Sequence, residues 1–182
     1  MSTVIEQGLP SGTFAADPLH STIGFSVDHL GVAVFRNRFR AYEATLHGGA
    51  APSLTGSVEV SSIDVDDEQL KGHLMSPEFF DAERYPQLRF SSRELILGED
   101  GSARLRGELE IRGQVHEIEA SGSFRLPTTD LYGNSRAGLR LEASLDRRKF
   151  GLDWQAELPS GGEALGYEVK VEADLEFIAQ EA

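Results

Sequence analysis

From Thr22 to Asp28 every second residue is apolar. Ile23, Phe25 and Val27 share one face while Thr22, Gly24, Ser26 and Asp28 share the other, the period of a half-buried strand. Asp17-Pro18 sets a turn ahead of it, because proline fixes its own φ and drives the preceding residue out of the helical region. The apolar face ends on His29, so an imidazole stands at the rim of whatever that face encloses. Leu30-Gly31 turns the chain, and Val32 to Leu46 reads as a long strand with Phe35, Asn37 and Phe39 alternating against Val34, Arg36, Arg38 and Arg40. From Tyr42 the apolar set slips one register, to Tyr42, Ala44 and Leu46, which predicts a β-bulge or bend. Gly48 to Pro52 is a turn, and Ser57 to Val65 is a further strand with Val58 and Val60 on one face.

The period then changes. Asp66, Asp67 and Glu68 suit a helix start, where acidic groups complement the dipole, and Leu70, Leu74 and Met75 follow at helical spacing. Ser76-Pro77-Glu78 reads as a second helix start presenting Phe79 and Phe80, ended by Tyr85-Pro86. Leu88 and Phe90 restart the two-residue period. A turn at Glu99-Asp100-Gly101 leads to a face of Ala103, Leu105, Gly107, Leu109 and Ile111, and Arg112-Gly113 turns again. Ile118, Ala120, Gly122 and Phe124 return, Pro127 to Asn134 is a loop, and Leu139, Leu141, Ala143 and Leu145 make the next face. The last strand carries Tyr167, Val169, Val171, Ala173, Leu175 and Phe177. About eight strands with hairpin-length connections and one short helical insertion predict an all-β fold, an antiparallel sheet closed into a barrel. The interior of such a barrel is either filled by side chains or holds one small ligand, and the small residues Gly107, Ala120, Gly122, Ala143 and Ala173 on the inward faces fit a narrow channel or a taper equally well.

Composition narrows the partners. With 17 basic against 30 acidic residues and a net charge of −13, the chain lacks the surplus cations that nucleic acid or an anionic bilayer attracts. Without cysteine there is no disulfide, thiolate nucleophile or cysteine metal site. Residues 1–12 read as a flexible lead-in to a single domain over 13–180. Met1 to Pro10 has neither a basic n-region nor an apolar h-region and no later run is of membrane-spanning length, so the expectation is a cytoplasmic protein with no integral membrane segment.

Candidate chemistry is sparse. The five histidines are scattered, with no His-x-x-x-His pair of the kind zinc uses, and no metal or cofactor is expected. His20 reads as a hydrogen-bonding residue, and His29 as a donor to a ligand head group. Arg36, Arg38 and Arg40 suit either a phosphate or, more simply, a charged edge. Asp64, Asp66, Asp67 and Glu68 lack the glycine and terminal glutamate of a calcium loop. No Ser/His/Asp order stands out, so no catalytic residue is assigned.

A set of local motifs runs in order along the chain: Asp17-Pro18-Leu19-His20-Ser21 with Phe25, Val27, His29 and Leu30; then Ser62-Ile63-Asp64, His73-Leu74, Phe79-Phe80-Asp81, Tyr85-Pro86 and Phe90-Ser91-Ser92; and finally Gly107 to Gly113 and Arg147 to Gly151. As an ordered set these motifs resemble the YceI-like family of polyisoprenoid-binding, lipocalin-like proteins. Phe14 stands where that family usually has Trp, Lys71-Gly72 where it often has Arg-Asp, Glu110 for Thr, Asp146 for Asn, and Asn37 near an expected Gly. The resemblance implies an extended barrel around a long apolar tunnel that holds an isoprenoid or another long-chain amphiphile such as a prenyl quinone. The expected ligand-binding residues are Phe25, Val27, His29, Leu74, Met75, Phe79, Phe80, Phe90, Leu109 and Leu141, with the Phe79-Phe80 segment and Leu74-Met75 as lid. Two alternatives stand beside this carrier: an enzyme using His29 with a neighbouring carboxylate on a bound amphiphile, and a filled structural barrel acting through its acidic surface. Edge strands and the family likeness are compatible with a homodimer.

Overall fold

In the computed structural model the described residues are 8–181. Ten strands form one antiparallel sheet: β1 (Thr13–Ala16), β2 (Thr22–His29), β3 (Ala33–Phe39), β4 (Tyr42–His47), β5 (Ser53–Glu59), β6 (Gln87–Leu97), β7 (Ser102–Ile111), β8 (Gln114–Thr129), β9 (Ser135–Asp146) and β10 (Leu165–Ala179). The order is β1-β4-β5-β6-β7-β8-β9-β10, and β1 pairs back onto β10 to close the ring at eight positions. The hairpin β2-β3 adds to β10 above β1, so each of two wall positions is shared by two strands, β1 with β2 and β3 with β4.

The register slip expected between Phe39 and Tyr42 is a real break: β3 ends at Phe39, β4 begins at Tyr42 and Arg40-Ala41 bends between them. A matching break separates β1 from β2 at Asp17 to Ser21. Ser21 repairs the missing ladder there, its Oγ accepting from the Glu176 amide at 2.9 Å and donating to the Glu176 carbonyl at 3.3 Å, while the Asp17 amide donates to that same carbonyl at 2.7 Å. Both Leu30-Gly31 and Arg112-Gly113 turn with two consecutive positive φ values, 55° and 68°, then 54° and 72°, which matches the twist of the flanking strands.

Several elements differ from the sequence expectation. β5 starts at Ser53 and stops at Glu59, and Val60–Ser62 is a 3-10 turn instead of strand. Ser and Gly hide the alternation of Leu54, Gly56 and Val58. The first helix forms as expected, α1 (Glu68–Met75), with Asp67 Oδ1 accepting from the Leu70 amide at 2.8 Å. The second does not form. Ser76 Oγ donates to the His73 carbonyl at 2.6 Å and so closes α1, and the segment to Arg84 is a chain of turns. The loop expected over Pro127 to Asn134 starts later than its proline suggests, because β8 absorbs Leu126-Pro127 in a bulge and runs to Thr129, leaving Asp130 to Asn134 as the turn. Leu9, inside the stretch read as a lead-in, is buried at 4 % exposure and its carbonyl accepts from the Gly49 amide at 3.0 Å. Met1 to Gln7 lie outside the described residues.

The core is uneven along the barrel axis. One end is packed solid by Leu9, Phe14, Leu46, Phe124, Leu139 and Phe177, with Leu46 and Phe177 fully buried. Toward the other end the apolar residues fall into two smaller clusters, one around Phe39, Val58, Leu74 and Phe79, the other around Ile111, Leu145, Phe150 and Leu152. Between them the wall residues do not meet across the barrel.

Candidate functional site: an apolar cavity under a helical lid

The unfilled space is a cavity of about 490 Å³, within the range of small-molecule sites. Its walls follow from strand alternation, since side chains two apart point the same way. Ile23, Phe25 and Val27 from β2 face Phe90 from β6, Leu105 and Leu109 from β7, Leu141 and Leu145 from β9, and Val169 and Val171 from β10. The void exists because Ala120, Ala143 and Ala173 sit in the same ring. Gly107 serves the wall differently. A Cβ there would lie 2.6 Å from the Phe90 ring, so the glycine is the seat on which that ring rests.

The cover is helical and aromatic. α1 contributes Leu70, His73 and Leu74, the turn after it Phe79 and Phe80, and the stretch after Arg147–Phe150 contributes Leu152 and Trp154. Phe79 and Trp154 stand with centroids 5.4 Å apart, and the His73 ring meets both edge-on at 4.8 and 5.2 Å. Below them Phe39 contacts Phe80 at 6.2 Å and Phe25 at 5.8 Å. Arg147 anchors the cover. Its guanidinium is buried and donates to the carbonyls of Gly166, Leu152, Trp154 and Leu165 at 2.6 to 3.0 Å, while Tyr167 packs on it 4.7 Å away. Burial without a bonded carboxylate pushes its pKa below the ordinary arginine value.

Of the residues singled out in the sequence, Phe25, Val27, His29, Leu74, Phe79, Phe80, Phe90, Leu109 and Leu141 all line this cavity. Met75 does not, and packs instead against the Phe39 cluster beneath the lid. His29 is exposed at the rim. The lining imidazole that pairs with a carboxylate is His73, whose Nε2 lies 2.7 Å from Glu78 Oε2, and not His29. The sequence reading missed His73, although its position between Leu70 and Leu74 on one helical face carried the signal. Arg38 and Arg40 hold no ligand-facing position. Their Nε atoms donate to Asp64 at 3.1 and 2.9 Å, and these two contacts hold the Asp64 carboxyl below the usual range, the one from Arg40 more strongly.

At the level of the β1–β2 break lies a polar cluster. Arg136 Nη1 donates to Asp17 at 2.8 Å and Glu176 at 2.7 Å, its Nε to Asp130 at 2.6 Å, and His20 Nδ1 sits 2.8 Å from Asp17. Asp17, His20 and Glu176 have the donor types of a cation site, yet the guanidinium already occupies the charge position between the two carboxylates. His20 is thus a hydrogen-bonding residue, as the sequence reading expected. Its pKa is raised by the hydrogen bond to Asp17. Among the described residues no helix is long and apolar enough to cross a membrane.

Comparison with known proteins agrees with this fold. A family model described as a YceI-like domain matches residues 14–177. A UPF0312 protein of Staphylococcus epidermidis is 30% identical over 172 residues, covering 90% of this chain and 96% of its own. One from Vibrio cholerae is 28% identical over 137 residues, covering 73% and 72%. Among solved structures, BcnA of Burkholderia cenocepacia superposes with a TM-score of 0.74 at 17% identity, over 88% of this chain and 98% of that one. A polyisoprenoid binding domain from Saccharophagus degradans superposes with a TM-score of 0.70 at 13% identity, over 92% and 98%.

Proposed function

The chain belongs to the YceI-like family, and from that premise we propose that it is a binding protein that sequesters a polyisoprenoid or a comparable long-chain amphiphile without transforming it. The observation that carries the reading is the 490 Å³ cavity, whose wall is built almost wholly of apolar side chains from nine of the strands and the lid. An apolar tail gains about 25 cal/mol for each Å² removed from water, so such a space binds through area alone and needs few polar contacts. The solid plug of Phe14, Leu46 and Phe177 closes one end and the His29 rim opens the other, so the tail lies inward and the polar head stays at the lid. The polyisoprenoid binding domain of Saccharophagus degradans supports the choice of an isoprenoid tail.

Native mass spectrometry of the purified protein, with organic extraction of whatever it releases, tests this. The expected result is a bound long-chain compound, or uptake of prenyl chains by the free protein with no chemical change in them. A clean mass that stays unchanged after incubation with prenyl alcohols, quinones and phosphates would leave the barrel without a cargo and remove the proposal.

A further inference from the structure

The mouth of the cavity is marked by its exposed lining residues, His29 and Leu30 on the β2-β3 hairpin and Leu70 on α1. Three segments meet there, and their charge is one-sided. The start of α1 carries exposed Asp66, Asp67 and Glu68 against Lys71 alone. The covering loop over 151–164 carries exposed Asp153, Glu157 and Glu163 and has no Lys or Arg, and the hairpin tip from Asp28 to Phe35 has none either. Arg147 and Arg89 do line the cavity, but four N–H groups of Arg147 are committed to backbone carbonyls with Glu163 and Asp146 near enough to act on its charge, and Arg89 gives its Nε and Nη2 to Gln87 Oε1 at 3.3 and 3.2 Å. Inside this acidic ring stands His73. Glu78 engages Nε2, which in the neutral ring leaves Nδ1 as a lone-pair acceptor, and that nitrogen has no hydrogen-bond partner among the described residues. Trp154 and Phe79, edge-on to the ring, hold it in place beside the space the head group must cross.

Resting on the carrier reading above, we infer that this site selects an uncharged head group that donates a hydrogen bond, a long-chain alcohol or amide, and rejects phosphate and carboxylate heads on the same tail. His73 Nδ1 accepts from the hydroxyl or N–H, and the acidic ring repels the anion at separations where salt has not yet screened it. The alcohol is therefore bound in the orientation that leaves its tail in the void and its oxygen under the lid.

The test compares three probes with one tail: geranylgeraniol, its methyl ether and its monophosphate, each titrated at low and high salt. The alcohol should bind tightest, and the phosphate about tenfold or more weaker at low salt, the gap narrowing as salt rises. His73→Phe keeps the aromatic packing and should bring the alcohol down to the level of the ether. The double variant Asp66→Asn, Glu68→Gln leaves the cavity intact and should strengthen phosphate binding alone. A phosphate that binds as tightly as the alcohol at low salt, or a His73→Phe protein that still prefers alcohol to ether, overturns the head-group assignment while leaving the carrier reading in place. Failure of all three probes to bind overturns both.

Discussion

Replacing Ala143 by Phe should separate binding from stability. Ala143 faces the cavity from β9, opposite Val171 of β10 in the ladder, and its small side chain is one reason the space exists. A phenyl ring there takes the room of about one isoprene unit, roughly five carbons at ~0.8 kcal/mol each, or about 4 kcal/mol and near a thousandfold in Kd. A tail that shifts toward the mouth recovers part of that, so a rise in Kd of at least about thirtyfold is expected. The free protein should be no less stable, because the ring enters space that side chains leave empty instead of displacing packed atoms. The assay is intrinsic: Trp154 is the sole tryptophan and it lines the cavity, so its emission reports occupancy directly. Titration with a prenyl alcohol gives Kd, and thermal unfolding of the free protein gives Tm. An unchanged Kd would place the tail elsewhere, and a Tm lowered by many degrees would mean that Ala143 sits in a filled core; either result refutes the reasoning.

Gly107→Ala brings a methyl to 2.6 Å from the Phe90 ring and 2.5 Å from the Ser91 carbonyl, a backbone atom that cannot swing aside. Overpacking of this kind costs about 1–3 kcal/mol, and urea unfolding with an unaltered midpoint would contradict the seat described for Phe90. The Asp17 carboxyl is lowered from 3.8 to about 2, first by its hydrogen bond to His20 and then by Arg136, against the effect of its burial. A depressed carboxyl contributes stability that is complete above its unfolded value and is lost as the pH falls through the folded one, so the loss belongs between about pH 4 and pH 2. Its size is at most about 2 kcal/mol and smaller after solvent screening. Arg136→Ala should flatten that acid limb of the stability curve, and equal slopes in the two proteins would exclude the coupling.

The barrel was legible because nearly all of its strands expose one face to the interior and the other to solvent, which writes a two-residue period into the chain. The period failed at Ser53 to Gly56, where a strand is built of small polar residues, and at Leu126-Pro127, where a bulge admits a proline that looks like the start of a loop. Ser76-Pro77-Glu78 misled for another reason. The residues suit a helix N-terminus, but Ser76 spends its hydroxyl on the end of α1, and Phe79 and Phe80 reach the cavity from turns. Alternation puts Phe25, Val27, Phe90, Leu109 and Leu141 on faces that line the cavity, whereas Leu74, Phe79 and Phe80 come from the cover and Met75 packs beneath it. What alternation does not encode is how the chain folds back where the strands stop, so neither the His73–Glu78 pair across the end of α1 nor the four-carbonyl seat of Arg147 was visible.

The two breaks in the wall lie side by side. Ile23 pairs with Phe39, which sets Ser21 level with Ala41, so the chain is interrupted twice at one height of the barrel. Above that line β2-β3 is held along one side by the long ladder from β2 to β10, and β3 is its free edge. The free edge is held by the strip over 62–64: Asp64 receives Arg38 and Arg40 on its carboxylate, Asn37 Nδ2 on its carbonyl at 3.0 Å, and gives its amide to the Arg38 carbonyl at 2.8 Å, while Ile63 bridges Phe39 and the Ser62 carbonyl accepts from the Arg40 amide at 3.0 Å. The wall is therefore continuous by ladder on one side of that hairpin and, on the other, by bonds to the short strip over 62–64 alone.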